Sequence, residues 1–205
     1  MKIQDVYDNI APSFDKTRTR VWEPVQQFIN NLPPNQYICD VGCGNGKNTI
    51  FKTHDFECCD ISLEMVKITK NKGKSTLQTN MLELPYRDST FDVSMSVAVI
   101  HHIEIPSLRL VAINELYRIT QPGGKILLTF WAREDFNIKY SLVPNMSPGD
   151  TLVPWTYNNV IYQRYYYLYT KEELQHIFNK YQYSIECFKH NWIVIITVDD
   201  SKNIF

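Results

Sequence analysis

The segment Asp40-Val41-Gly42-Cys43-Gly44-Asn45-Gly46-Lys47 constrains this chain more than any other. It follows a short apolar run, Gln36 to Val41, that reads as a strand. Glycines at alternate positions let the backbone turn sharply and approach a ligand with no Cβ in the way. A short helix over Lys47 to Lys52 would then offer free N–H groups to an anionic group. The spacing Gly42-x-Gly44-x-Gly46 differs from the dinucleotide pattern Gly-x-Gly-x-x-Gly, and the Walker spacing is absent, which disfavours ATP. Asp40 heads the loop, where a carboxylate can meet a cationic amino group. Asp60 ends a second strand, where a carboxylate can accept both hydroxyls of a ribose. Plainer readings stand beside these: the loop as a tight turn, and Asp60 as an acid at a helix start.

From residue 36 onward strand and helix signals alternate. Asp55 to Asp60 is the second strand, and Ser62 is a good N-cap for a helix from Leu63 to Lys70. Ser75 to Thr79 and the nearly continuous apolar stretch Phe91 to Val97 follow as strands. Ser107 opens a helix that ends at Gln121-Pro122-Gly123-Gly124, and Lys125 to Trp131 is the fifth strand. Repeated strand–helix–strand units predict an α/β fold with a mostly parallel sheet and helices on both faces. Ligands of such sheets bind beyond the carboxyl ends of the strands, which gathers the glycine loop, Asp60, Asn80 and Val97 to His102 around one crevice. A helix from Lys171 to Tyr181 and strands from Ser184 to Phe188 and Asn191 to Val198 predict a closing antiparallel hairpin. Residues 1–31 read as two accessory helices with Pro12 and Pro24 at their starts, and residues 132–170 as a long, aperiodic lid or binding segment. Residues 1–205 are thereby expected to form a single domain.

The first eight residues lack the apolar run of a signal peptide, and the longest apolar stretch is strand length, so no membrane association and a cytoplasmic, possibly also nuclear, setting are expected. The five cysteines show no Cys-x-x-Cys pair, so they read as buried thiols and no metal is expected. The net charge of −1 bears on any nucleic-acid partner, because phosphate neutralisation supplies much of such affinity. Binding of that kind would rest on a local patch or on a second subunit.

With these motifs in place, the chain resembles the class I S-adenosylmethionine (SAM)-dependent methyltransferases. Ile38 to Gly46 looks like that family's first motif, and Asp60 falls where its ribose-binding acid belongs. Gln78 to Tyr86, Phe91-Asp92-Val93 and Pro122-Gly123-Gly124-Lys125 are similar to its later motifs. The resemblance implies a Rossmann-like fold with a seven-stranded sheet and SAM as cofactor. Asp40, Gly42, Cys43, Gly44, Asn45, Gly46, Asp60, Ile61, Asn80, Met81 and Val97 are implied to hold it. Asn80 stands where most members carry Asp, and its amide carbonyl can still accept from an exocyclic amine.

Candidate acceptor groups lie near the ends of the fourth and fifth strands and in the accessory segments. His101 and His102 could bind or deprotonate an acceptor near neutral pH. Arg164 to Tyr169 pairs a guanidinium with a run of aromatics, a combination suited to an exposed base and a carboxylate or phosphate. Tyr7-Asp8-x-Ile10-Ala11-x-x-Phe14, Thr17-Arg18-x-x-x-Trp22, Ser96 to His102, Val153-Pro154-Trp155, Arg164 to Tyr169 and Asn191-Trp192 are similar to the eukaryotic tRNA wobble-uridine carboxymethyl methyltransferases. Two departures stand out: a very short segment between Trp155 and Arg164, and Tyr167 where the family carries His.

That resemblance implies methyl transfer to the carboxylate of 5-carboxymethyluridine at position 34 of tRNA. It also implies a small zinc-binding activator protein as the partner in a heterodimer. Arg18 and Arg164 would hold the carboxylate or flanking phosphates, and His101 or His102 would position the uridine. Tyr165 and Trp131 would wall the base, while Lys16, Arg20, Lys139 and Lys189 form a backbone track. Two other readings stay open: a methyltransferase for a quinone, sterol or carboxylic acid, and a SAM-binding scaffold without catalysis.

Overall fold

The computed structural model describes residues 1–134 and 148–201. Lys139 of the expected basic track lies outside the described residues. Strands β1 (Tyr37–Val41), β2 (Asp55–Asp60), β3 (Ser75–Gln78), β4 (Phe91–Val97) and β5 (Thr120–Trp131) run parallel in the order β3-β2-β1-β4-β5. Further along the chain come β6 (Asp150–Tyr157), β7 (Val160–Tyr167), β8 (Gln182–Phe188) and β9 (Asn191–Thr197). The hairpin β8–β9 closes the sheet, with β9 antiparallel to both β5 and β8. This is the seven-stranded, mostly parallel α/β sheet that the sequence predicts.

Period-two alternation sorts the core onto two faces. Ile38, Met95 and Leu127 pack with Val25, Phe28 and Ile29 of helix α2 (Glu23–Asn30). Cys39, Val41, Ile126 and Leu128 face the other way, onto Ile113 and Leu116 of α4 (Pro106–Ile119) and Leu174 and Phe178 of α5 (Lys171–Phe178). Helix α3 (Leu63–Asn71) begins as expected at Ser62, whose Oγ accepts from the Met65 N–H.

Four local expectations are corrected. No helix forms over Lys47 to Lys52; the segment runs through turns. There the Thr49 side chain donates to the Gly46 carbonyl at 2.9 Å, a local bond that competes with helix formation. Pro12 lies inside α1 (Ile3–Thr17), not at its start, whereas Pro24 does open α2. Cys187 is exposed, unlike the other four cysteines. Finally, the segment read as an aperiodic lid contains the hairpin β6–β7, a two-stranded sheet of its own. Its connection, Asn158-Asn159, has positive φ at both residues (49° and 60°), the two-residue turn that suits strand twist.

Candidate active site

A cavity of about 740 Å³ opens at the carboxyl ends of β1, β2 and β4. The glycine loop floors it, and glycine is required there by space as well as conformation. Gly42 has φ +76°, and a Cβ on it would lie 2.4 Å from Cγ2 of Val99. Val99 is pushed over the loop by the backbone just after β4, where Ala98 takes φ +60° and its N–H donates to Thr129 Oγ1 at 2.8 Å. A non-glycine residue at positive φ costs free energy, and the bond to Thr129 helps to hold it there.

Asp60 ties β2 to the loop. Its Oδ2 accepts from the Gly44 N–H at 2.8 Å and its Oδ1 from the Ser62 N–H at 2.9 Å. Burial raises the pKa of its carboxyl, and these backbone bonds oppose the rise. Each oxygen keeps lone pairs for a ligand. Asp40 is fully buried, lies beneath the cavity wall, and has no hydrogen-bond partner on either oxygen. Burial lifts its pKa to about 7 against the pull of the Lys47 ammonium. Cys43, Gly44, Asn45, Ile61, Asn80, Met81 and Val97 line the cavity, while Gly46 lies behind it. Asn80 closes its own turn, its Oδ1 accepting from the Leu82 N–H at 3.1 Å.

Helix α1 forms the roof. Asp8 Oδ1 accepts from Ser62 Oγ (2.6 Å) and the Glu64 N–H (3.1 Å) at the start of α3. Asn45 Nδ2 donates to Asp15 Oδ1 (2.8 Å) and to the Arg18 carbonyl (2.9 Å). Ile3, Tyr7 and Phe14 thereby reach the cavity. Sequence reasoning assigned them no role, yet their spacing of four and seven residues places them on one helical face.

The end of the cavity where the sequence reading expects the acceptor lies between α1, the 3₁₀ turn Ile100–His102 and the β6–β7 hairpin. Along β7, Arg164 and Tyr166 line the cavity and Tyr165 does not, because adjacent strand residues point to opposite faces. Tyr165 instead accepts from Arg109 (2.8 Å) and donates to Asp150 (2.5 Å), which removes it from the wall expected for the base. Tyr166 is in the wall, 4.5 Å from the Trp131 ring, centre to centre. The Arg18 and Arg164 guanidinium carbons lie 4.8 and 4.9 Å from the Trp155 ring centre, so one indole carries two cations. Arg164 is only 6% exposed, its Nε has no partner, and its Nη1 donates to Tyr166 Oη at 3.0 Å. Among the described residues neither guanidinium lies within 4 Å of a carboxylate.

The two histidines part company. His101 is fully buried off the cavity, stacked on Tyr166 at 4.4 Å. His102 lines the cavity, but Nδ1 is bonded to the Tyr165 carbonyl (2.8 Å) and Nε2 to Tyr7 Oη (2.8 Å). A carbonyl can only accept, so Nδ1 carries the proton and the tyrosine donates to Nε2. Burial pushes the His102 pKa down to about 3 and lowers that of His101 as well. Neither imidazole offers a free basic nitrogen to the cavity. Of the expected basic track, Arg20 lines the cavity and Lys189 lies 3.9 Å from Glu23. Trp192 donates to the Tyr169 carbonyl at 3.1 Å, away from the cavity, whereas Asn191 lines it.

Residues 39–128 match the methyltransferase domain family. The chain is 42% identical to an Arabidopsis thaliana tRNA (carboxymethyluridine(34)-5-O)-methyltransferase over 133 residues, 64% of this chain and 33% of that protein. It is 33% identical over 196 residues to the Schizosaccharomyces pombe protein of the same description, covering 85% of each. Against the plant protein and several vertebrate relatives, the chain spans a third of their length or less. Among solved structures, the DhpI–SAM–HEP complex superposes with a TM-score of 0.74 at 12% identity, over 95% of this chain and 97% of that one. A chain of the Haloferax volcanii complex that contains the Trm112 methyltransferase activator superposes with a TM-score of 0.71 at 14% identity, over 98% and 99%. These likenesses show the same fold, and the extent of the fission-yeast match shows kinship: the chain belongs to the family of the tRNA (carboxymethyluridine(34)-5-O)-methyltransferases.

Proposed function

We propose that this protein methylates the carboxylate of 5-carboxymethyluridine at wobble position 34 of tRNA, with SAM as donor, giving the methyl ester. One observation carries the reading: among the described residues, a buried Arg164 with a partnerless Nε and no carboxylate within 4 Å lines the acceptor end, and neither histidine offers it a free base. A neutral hydroxyl or amine acceptor would need its proton removed. A carboxylate carries its own lone pair and needs a cation to hold it, which Arg164 supplies.

The cofactor site fits its ligand on three counts. The glycine cradle admits close approach, Asp60 presents acceptor lone pairs at a ribose position, and the orphaned Asp40 carboxylate lies under the loop to balance an ammonium. Ile61, Met81, Leu82 and Val97 supply apolar walls for a base. When bound, the cofactor supplies a methyl carbon activated by a sulfonium. The protein's own part is to orient and to exclude water. Tyr7, fixed by His102, and Tyr166, held between His101 and Trp131, shape the acceptor end, while Arg164 aligns the carboxylate. Arg18 lines the same cavity, on the Trp155 ring that Arg164 shares. A carboxylate held by Arg164 has no proton to lose on methylation, so the chain would have to orient it toward the methyl group that the bound cofactor would supply, and no base is asked of the protein.

An activator subunit is part of this proposal. A chain of net charge −1 gains from a partner in binding RNA, and the archaeal structural relative is solved with such an activator. The test is transfer of labelled methyl from SAM to tRNA carrying unesterified carboxymethyluridine, with a metabolite extract in parallel. Label in the wobble ester supports the reading; label confined to small molecules sinks it.

A further inference from the structure

A second cavity of about 330 Å³ lies on the other side of the Asn45–Lys47 segment. Arg18, Lys47, Lys72 and Lys74 line it against one carboxylate, Asp15. Lys72 Nζ lies 2.5 Å from Asp15 Oδ1 and donates to the Asn45 carbonyl at 2.9 Å. The other three have no carboxylate within 4 Å among the described residues; Lys74 holds only the Thr49 carbonyl, at 2.5 Å. Four cations against one acid is a local excess of three positive charges in a chain whose net charge is −1.

Crowding of that kind is unfavourable unless an anion joins it. Burial lowers the pKa of Lys47; the Asp40 carboxylate beside it opposes that drop, and the Arg18 charge adds a smaller push downward. Arg18, Thr19, Asn45 and Lys47 line both cavities, so the second one adjoins the mouth of the first. A chain attached to whatever enters the main cavity runs past these cations. Phosphate suits them, since Lys binds it as a point charge and the Thr19 hydroxyl can donate to it.

We infer that the second cavity is a phosphodiester seat, which takes a backbone phosphate of the RNA strand whose wobble nucleotide occupies the main cavity. The inference rests on the reading of the acceptor as a nucleotide within RNA. It also concentrates the electrostatic attraction that a chain without basic excess requires.

The experiment is tRNA binding against salt concentration for the wild type, Lys74→Gln and Lys74→Arg, without turnover. Loss of one phosphate contact should reduce the slope of log K against log salt by about 0.7, the single-strand value. Lys74→Gln is expected to show that reduction and Lys74→Arg to keep the wild-type slope. Cofactor affinity by calorimetry reports folding; if Lys74→Gln fails that control, Lys72→Gln gives the same reading. A wild-type slope in the Gln variant, or a wild type that does not bind tRNA, overturns the seat. So does loss of orthophosphate binding with the RNA slope intact, which would assign a site for a free ion. If the slope falls as expected but no methyl reaches tRNA, the seat stands and the carboxymethyluridine assignment falls.

Discussion

Tyr7 donates its hydroxyl proton to Nε2 of His102 across 2.8 Å, and it can do so because the Tyr165 carbonyl already takes the proton on Nδ1. The pair makes His102 a holder of Tyr7 and removes it as a base. Activity should therefore show no histidine titration between about pH 5.5 and 8, well above the His102 pKa of about 3. Tyr7→Phe should cut turnover roughly three- to tenfold, the worth of one positioning hydrogen bond. Because burial holds the His102 pKa low, Tyr7→Phe should leave the pH profile without a histidine limb. A rate profile that titrates near the ordinary imidazole pKa of about 6.5 contradicts this account.

Arg164 is the cation assigned to the acceptor. Arg164→Ala should weaken acceptor binding by about 1.5–3 kcal/mol, a factor of roughly ten to a hundred in KM for tRNA. Cofactor affinity measured without RNA should hold. Arg164→Lys should recover only part of the loss, because an ammonium cannot make the forked contact. Equal damage to cofactor and acceptor binding would place Arg164 in the wrong compartment.

Asp40 gives a signed dependence on pH. Its pKa of about 7 in the folded chain exceeds the ordinary value of 3.8, so the native state binds more protons between these limits and stability falls as pH rises through them. Asp40→Asn removes the penalty. In urea unfolding without cofactor, the variant should match the wild type near pH 4 and exceed it above pH 7, by about 4 kcal/mol as a ceiling. It should nevertheless bind cofactor more weakly. A stability difference that does not change with pH would show that Asp40 is ionised throughout.

Gly42→Ala places a methyl group 2.4 Å from Val99 at a φ of +76°. The substitution should cost about 2 kcal/mol or more and abolish cofactor binding. Val99→Ala should restore part of both, because it clears the space and leaves the backbone strain. Additive losses in the double variant would exclude Val99 as the obstacle.

Tyr165→Phe tests the alternation along β7. It loses the bonds to Arg109 and Asp150, so melting should report a loss of about 1–2 kcal/mol while KM for tRNA stays put. A raised KM at unchanged stability would return Tyr165 to the cavity wall.

What could be read from the sequence divides along physical lines. The sheet was legible because its strands carry continuous apolar runs and the glycine loop tolerates few neighbours. Asp60 and Arg164 were legible because their chemistry is tied to their place on a strand. Tyr165 was misplaced by one residue, since a run of three tyrosines hides which face of a strand points inward. The helix after the loop was expected from the general pattern and failed on one local bond, Thr49 to Gly46. His101 and His102 read from the sequence as groups to bind, position or deprotonate an acceptor, because nothing in a sequence reveals that both nitrogens of one are engaged and the other is buried. The β6–β7 hairpin did leave a signal in Asn158-Asn159, but its strands alternate too weakly to be seen without it.

Among the described residues that hairpin forms a two-stranded sheet of its own and shares no ladder with the seven-stranded sheet. Side chains on β7 can therefore be exchanged without a change of register in the strands that present the glycine loop. The wall that carries Arg164 and Tyr166 can thus be rebuilt while the glycine loop is left as it is, so the two sides of one cavity are open to alteration one at a time.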